Sequence, residues 1–284
     1  LGLDRNLSVA VASGKGGTGK TTISTCLALI AGRPVRLLDC DVEEPNCHLF
    51  LKPRIEHTES VGLLVPVVDE DRCTGCGECS RFCEYNAMAV VRDKVLVFSE
   101  LCHGCGGCTL ACPEGAISEV ERPIGTLERG RSGDVEFVQG RLEVGEVLAP
   151  PVIAAVKRHA ADGGLTIIDA PPGTSCPVIE AVRGAGFVVL VTEPTPFGLS
   201  DLRLAVEMVR VMGLRTGVVI NRSDIGDDGV RVYCAEEGIP VLAEIPNDRR
   251  VAEAYSRGHL PTEDVPGYRA RMDALLAAIE ESAG

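Results

Sequence analysis

GKGGTGKT, residues 14 to 21, fits the pattern G-x-x-x-x-G-K-[ST] and decides the fold. The apolar run LSVAVAS (7–13) precedes it, and KTTISTCLALIAG (20–32) follows with the composition of a helix. Strand, glycine loop and helix in that order are the context this pattern needs to cradle phosphate. Gly14, Gly16, Gly17, Thr18 and Gly19 turn backbone N–H groups toward phosphate oxygens, and Lys15 and Thr22 join the expected nucleotide-binding residues. The helix N-terminus adds a favourable dipole, Lys20 neutralises β- and γ-phosphate charge, and Thr21 offers an oxygen to Mg²⁺. The expected ligand is Mg-ATP.

Working outward, PVRLLDCD (34–41) and LTIIDAPPG (165–173) read as buried strands with carboxylates at their C-terminal ends. Further strands are expected at FVVLVTEP, TGVVIN and PVLAEIP, and helices at 198–212, 228–237, 247–257 and 267–282. Continuous apolar strands separated by helices predict a doubly wound, mostly parallel α/β sheet of the P-loop NTPase type. Asp39, Asp41 and Asp169 then converge on the crevice at the strand ends, where such sheets bind ligands. Residues 62–150 break the rhythm. They hold two cysteine runs and then IGTLERGRSGDVEFVQGRLEVGE, whose alternation predicts antiparallel strands. The expected organisation is a nucleotide domain at 1–61 and 121–284, interrupted at 62–120 by a small inserted α+β domain.

Composition narrows the partners. A formal charge of −13 opposes nucleic acid and anionic membranes, because every phosphate contact needs a Lys or Arg. Aromatics are 4% and Trp is absent, so base-stacking platforms are scarce. No apolar run is long enough to span a bilayer, and the start lacks a signal peptide's basic-then-apolar order, so a cytoplasmic location is expected. The C-terminal RARMDALLAAIEE is acidic and reads as a helix packed on the sheet rather than a membrane anchor.

Eight of the thirteen cysteines fall in two runs: Cys73, Cys76, Cys79, Cys83 and Cys102, Cys105, Cys108, Cys112. Both have the spacing C-x2-C-x2-C-x3-C, and the second is followed by Pro113. A four-thiolate zinc site also uses C-x2-C pairs, but two pairs suffice and half of each run would be unexplained. The pattern resembles the bacterial ferredoxins that hold two [4Fe-4S] clusters, in which the fourth cysteine of each run ligates the other cluster. That resemblance implies one cluster on Cys73, Cys76, Cys79 and Cys112, and a second on Cys102, Cys105, Cys108 and Cys83. Glu84 stands where a proline would follow the first run. Cys26, Cys40, Cys47, Cys176 and Cys234 lack such spacing and are expected to fill space.

The second lysine of KGGTGK, Lys15, resembles the deviant Walker A motif of the MinD, ParA and Mrp group, which includes the nitrogenase iron protein. The resemblance implies that Lys15 reaches the partner's nucleotide in an ATP-dependent dimer, formed with an identical chain or a paralogue. LLDCDVEEPN looks like that group's first switch, with Asp41 positioning the attacking water and Asp39 near the metal. IIDAPPG looks like the second switch, with Asp169 behind Mg²⁺. VVINR and EIPND resemble the group's base-binding segments, which implies Asn221 and Pro246 beside the base, and Cys176 follows the second switch at a place similar to a cluster ligand of the nitrogenase iron protein. The expected function is ATP hydrolysis coupled to electron transfer toward a redox partner. The alternatives are iron–sulfur or metallocofactor assembly for an apo-protein partner, and MinD-like positioning.

Overall fold

The computed structural model describes residues 7–160 and 163–284; the first six residues of the expected N-terminal part lie outside the described residues. From the N-terminus run β1 (Leu7–Ser13), α1 (Lys20–Ile30), β2 (Val35–Asp39), α2 (Cys47–Leu51) and β3 (Arg54–Val68). The cysteine-bearing segment holds α3 (Glu78–Phe82), β4 (Met88–Val91), β5 (Lys94–Val97) and α4 (Gly107–Ala111). The chain returns through β6 (Ile117–Ser132), β7 (Val135–Leu142), α5 (Ala149–Lys157) and β8 (Leu165–Pro172). The remainder is α6 (Cys176–Val182), β9 (Phe187–Thr192), α7 (Pro196–Val211), β10 (Thr216–Asn221), α8 (Gly229–Glu236), β11 (Val241–Ile245), α9 (Arg249–Ser256), α10 (Pro261–Asp264) and α11 (Tyr268–Ala283).

Nine strands form one sheet in the order β11-β10-β9-β1-β8-β2-β7-β6-β3. The pairs from β11 to β7 are parallel, while β6 pairs antiparallel with both β7 and β3. The parallel strands are apolar along nearly their whole length because helices cover both faces. Leu38, Ile168, Leu190 and Ile220 face α5 to α8, whereas Leu37, Ile167, Val189 and Val219 face α1, α2 and α11. Fully buried Phe137 on β7 belongs to the second layer. Phe137→Ala is expected to cost about 3–5 kcal/mol through the cavity it leaves, read as a lowered urea midpoint.

The boundaries expected at 62 and 120 fall inside β3 and β6. These strands pair from Arg54↔Arg131 to Val68↔Ile117, with register shifts at Ile55/His57 and Val61/Gly62, so the cysteine segment hangs from two struts of the main sheet. The first half of β3, RIEHTES, is exposed and polar, which hides it from a reading based on hydrophobic periodicity. The β4–β5 hairpin turns at Arg92 and Asp93, both with positive φ, a two-residue turn whose twist suits a hairpin. A small apolar cluster of Cys79, Met88 and Ile117 lies beneath it.

Candidate functional site

The P-loop backbone requires glycine at two tight places. A Cβ on Gly14 would lie 2.3 Å from the carbonyl oxygen of Asp201 on α7. Gly19 has φ +97°, and a Cβ there would meet the Asn221 amide at 2.6 Å. Gly16 and Gly17 face open space, a cradle a phosphate can enter. The Thr18 hydroxyl is buried with no hydrogen-bond partner, and the Thr18 carbonyl accepts from the Asn221 amide at 2.8 Å.

Lys20 is buried, and its ammonium donates to the Ser13 hydroxyl at 2.9 Å, which in turn donates to the Lys15 carbonyl at 2.5 Å. Burial pushes the Lys20 pKa down from the usual lysine range, while the charges of Asp169 and Asp41 oppose that shift. Lys15 does not stand free: its ammonium lies 3.2 Å from Glu193 at the end of β9.

Asp39 and Asp169 are exact neighbours in the β2–β8 register, which brings two fully buried carboxylates side by side. Asp169 accepts from Thr21 at 2.8 Å, Ser24 at 2.7 Å and the Cys47 thiol at 3.4 Å. Asp39 accepts the backbone N–H groups of Asp41, Asn46 and Cys47 at 3.0–3.2 Å, so it shapes the loop that presents Asp41. Burial pushes both Asp39 and Asp169 up from the ordinary carboxylate range. Burial, then the charge of Asp169, raises Asp41 to about 6. Two crowded carboxylates beside a threonine hydroxyl suit a hard dication, which takes oxygen donors and relieves their repulsion. Among the described residues, Asp39, Cys47 and Asp169 form the one group whose ligand atoms all lie within 4.8 Å of one another.

A cavity of about 420 Å³ opens over this floor, a volume suited to a small ligand. Gly16, Gly17, Gly19, Lys20, Thr21, Thr22 and Asp41 line it together with Asn221, Arg222, Pro246, Tyr255 and Tyr268. Gly14, Thr18, Asp39 and Asp169 do not line it; they support the residues that do. Glu193, Arg222, Ser24 and Cys47 escaped the sequence reading. Glu193 has a signal, since it directly follows parallel strand β9, at the sheet end where Asp39 closes β2.

Around one small pocket stand Cys73, Cys76, Cys79 and Cys112; around another stand Cys83, Cys102, Cys105 and Cys108. Each set draws one cysteine from the opposite run. The Ala87 N–H points at the Cys83 sulfur at 3.4 Å, and the Ala116 N–H at the Cys112 sulfur at 3.3 Å, the same contact in both halves of the repeat. Gly77 and Gly106, both left-handed, open α3 and α4 in the same way. A tetrahedral zinc would draw its thiolates to about 3.8 Å of one another, from Zn–S bonds of about 2.3 Å. Among the described residues neither set has its sulfurs all within 4.8 Å of one another, a spread wider than a single zinc would hold. Cys176 is exposed at the start of α6 and lines neither of these pockets.

The sheet, the glycine loop and the paired strand-end carboxylates define a P-loop nucleotide-binding protein of the α/β class. The chain matches the profile of the CobQ/CobB/MinD/ParA nucleotide binding domain over residues 9–262, and it belongs to that family. It is 31% identical to an uncharacterized protein of Methanocaldococcus jannaschii over 261 residues, 88% of this chain and 89% of the relative. It is 27% identical to a cytosolic Fe-S cluster assembly factor of Bos taurus, over 91% of this chain and 85% of that one. The septum site-determining protein MinD from Pyrococcus horikoshii, solved with Mg-ADP, shares the fold with a TM-score of 0.59 at 20% identity, covering 97% of this chain and 95% of that one. Among the described residues no helix is long and apolar enough to cross a membrane.

Proposed function

We propose that this chain is a cytoplasmic ATPase in which Mg-ATP-dependent pairing of two chains controls electron transfer toward a redox partner through two [4Fe-4S] clusters. The observation that carries this reading is the pair of four-cysteine rings, each completed by the opposite run and mounted on struts of the nucleotide-binding sheet. Cys73, Cys76, Cys79 and Cys112 would hold one cluster, and Cys102, Cys105, Cys108 and Cys83 the other. When bound, such clusters supply one-electron chemistry, with potentials set by charge, exposure and hydrogen bonds to sulfur. The N–H groups of Ala87 and Ala116 would contribute to the last of these.

At the nucleotide, Lys20 and the loop N–H groups would neutralise phosphate charge as the phosphoryl group transfers. Thr21, with Asp169 and Asp39 behind it, would hold Mg²⁺, and Asp41 would orient water. Asn221 and Pro246 would bound the base. Lys15, in trans, would act as an arginine finger does, placing a cation where charge develops. A physical connection between site and rings supports coupling. Val42, next to Asp41, accepts the Leu142 N–H at 2.8 Å and packs against Gly140 on β7, the neighbour of strut β6.

Lys15→Ala is expected to abolish the ATP-dependent dimer, measured by light scattering, and to lower turnover by about 10³-fold or more. Unchanged dimerisation and turnover would remove the trans mechanism. A second reading, cluster delivery to an apo-protein, is favoured by the likeness to the bovine assembly factor. Release of iron and sulfide to an apo-acceptor on ATP addition would select it, and retention in the rings would select electron transfer.

A further inference from the structure

Glu193 is the buried acid that no expected role absorbs. It follows β9, and its backbone is fixed: the Glu193 carbonyl accepts the Thr195 N–H at 2.8 Å, and a Cβ on Gly198 would lie 2.2 Å from that same oxygen. One carboxylate oxygen holds the Lys15 ammonium at 3.2 Å; the other accepts from the Arg222 guanidinium at 2.5 Å. The Glu193 side chain is 10% exposed, against 33% for Lys15 and 46% for Arg222, so the acid is the fixed centre and the cations are the movable arms.

We infer that Glu193 is a latch that holds Lys15 on its own chain in the nucleotide-free protein and sets the ATP concentration at which two chains pair. The inference rests on the reading that Lys15 acts across a dimer. An ammonium paired in cis cannot serve the partner's phosphates, so the pair with Glu193 must break first. Breaking a buried ion pair is costly when it strands the remaining charge. Arg222 removes that penalty, because Glu193 keeps a guanidinium after Lys15 departs. Arg222 is itself held for this: its backbone is left-handed, with φ 51°, and its N–H donates to the Asn221 side chain, which clasps the P-loop at Thr18. Lys15 from the glycine loop and Arg222 from the end of β10 thus meet on one carboxylate. Glu193 is a positioning residue, since it acts through Lys15 and touches no phosphate.

The test compares wild type, Glu193→Gln, Lys15→Ala and the double variant, using Mg-ATP titrations read by light scattering and mass-spectrometric labelling of Lys15 with an amine-acylating reagent in nucleotide-free protein. Glutamine keeps the shape of the side chain and an oxygen for Arg222, and Glu193→Asp, which withdraws the carboxylate by one methylene, gives an independent second variant. The latch predicts faster Lys15 labelling in Glu193→Gln and a lower ATP midpoint for pairing, by about threefold to tenfold, the size expected for release of a partly buried ion pair. The double variant should behave as Lys15→Ala. Unchanged labelling overturns the latch whatever the dimer does. Faster labelling with an unchanged midpoint overturns the control of pairing. Absence of a wild-type dimer at saturating Mg-ATP overturns the trans reading itself, and the control of pairing with it, a result visible before any Glu193 variant is measured.

Discussion

Lys20→Ala is expected to lower single-turnover ATP hydrolysis by about 10²–10³-fold, the cost of losing one preorganised charge at a developing anion. The effect is electrostatic and comes from what surrounds the ammonium. Lys20 is buried and bonded to Ser13, with Asp169 and Asp41 the nearest charges that favour its protonated form. Its cation is therefore already desolvated and aimed before nucleotide arrives, so little reorganisation is needed at the reaction. Removal also leaves Asp169 and Asp41 with less compensating charge, and these carboxylates, already raised by burial, should bind protons more readily still. Turnover within tenfold of wild type would mean that the phosphates lie elsewhere.

The second large effect concerns the crossed rings. Cys112 lines a pocket with Cys73, Cys76 and Cys79, while Cys83 lines the pocket of Cys102, Cys105 and Cys108. The double variant Cys73→Ala/Cys112→Ala should therefore lose about half of the bound iron and acid-labile sulfide, since both changes fall on one cluster site. Cys73→Ala/Cys83→Ala should lose nearly all of it, because each site is then short of a ligand. Pairing within each run would reverse these two results, and a zinc protein would contain no labile sulfide in any variant. Iron and sulfide assays on anaerobically reconstituted protein decide the matter.

How much of this was legible in advance follows from which interactions are local. The strand–loop–helix of residues 7–30 and the helices α7, α8, α9 and α11 follow from apolar periodicity, and their ends fall within about two residues, the usual ambiguity of helix termini, while the short α10 has no such pattern. The crossing of the cysteine runs is implied by the resemblance of their spacing to two-cluster ferredoxins, and the two small pockets are lined by the same crossed sets. β3 was hidden because its first seven residues are exposed and polar, with no alternation to read. Glu193 and Arg222 were hidden for a different reason. Their meeting with Lys15 depends on β9 lying between β1 and β10, a strand order set by long-range packing and not by any local pattern. Asn221 was expected at the base; the structure gives its amide to the Thr18 carbonyl, a contact likewise visible only once β10 is placed.

The central claim is that one chain joins a nucleotide switch to its cysteine rings, and the most direct test is ATP turnover by anaerobically reconstituted protein in one buffer, first oxidised and then reduced. The account predicts clearly different rates in the two states. Equal rates would contradict it and move cluster delivery to the front.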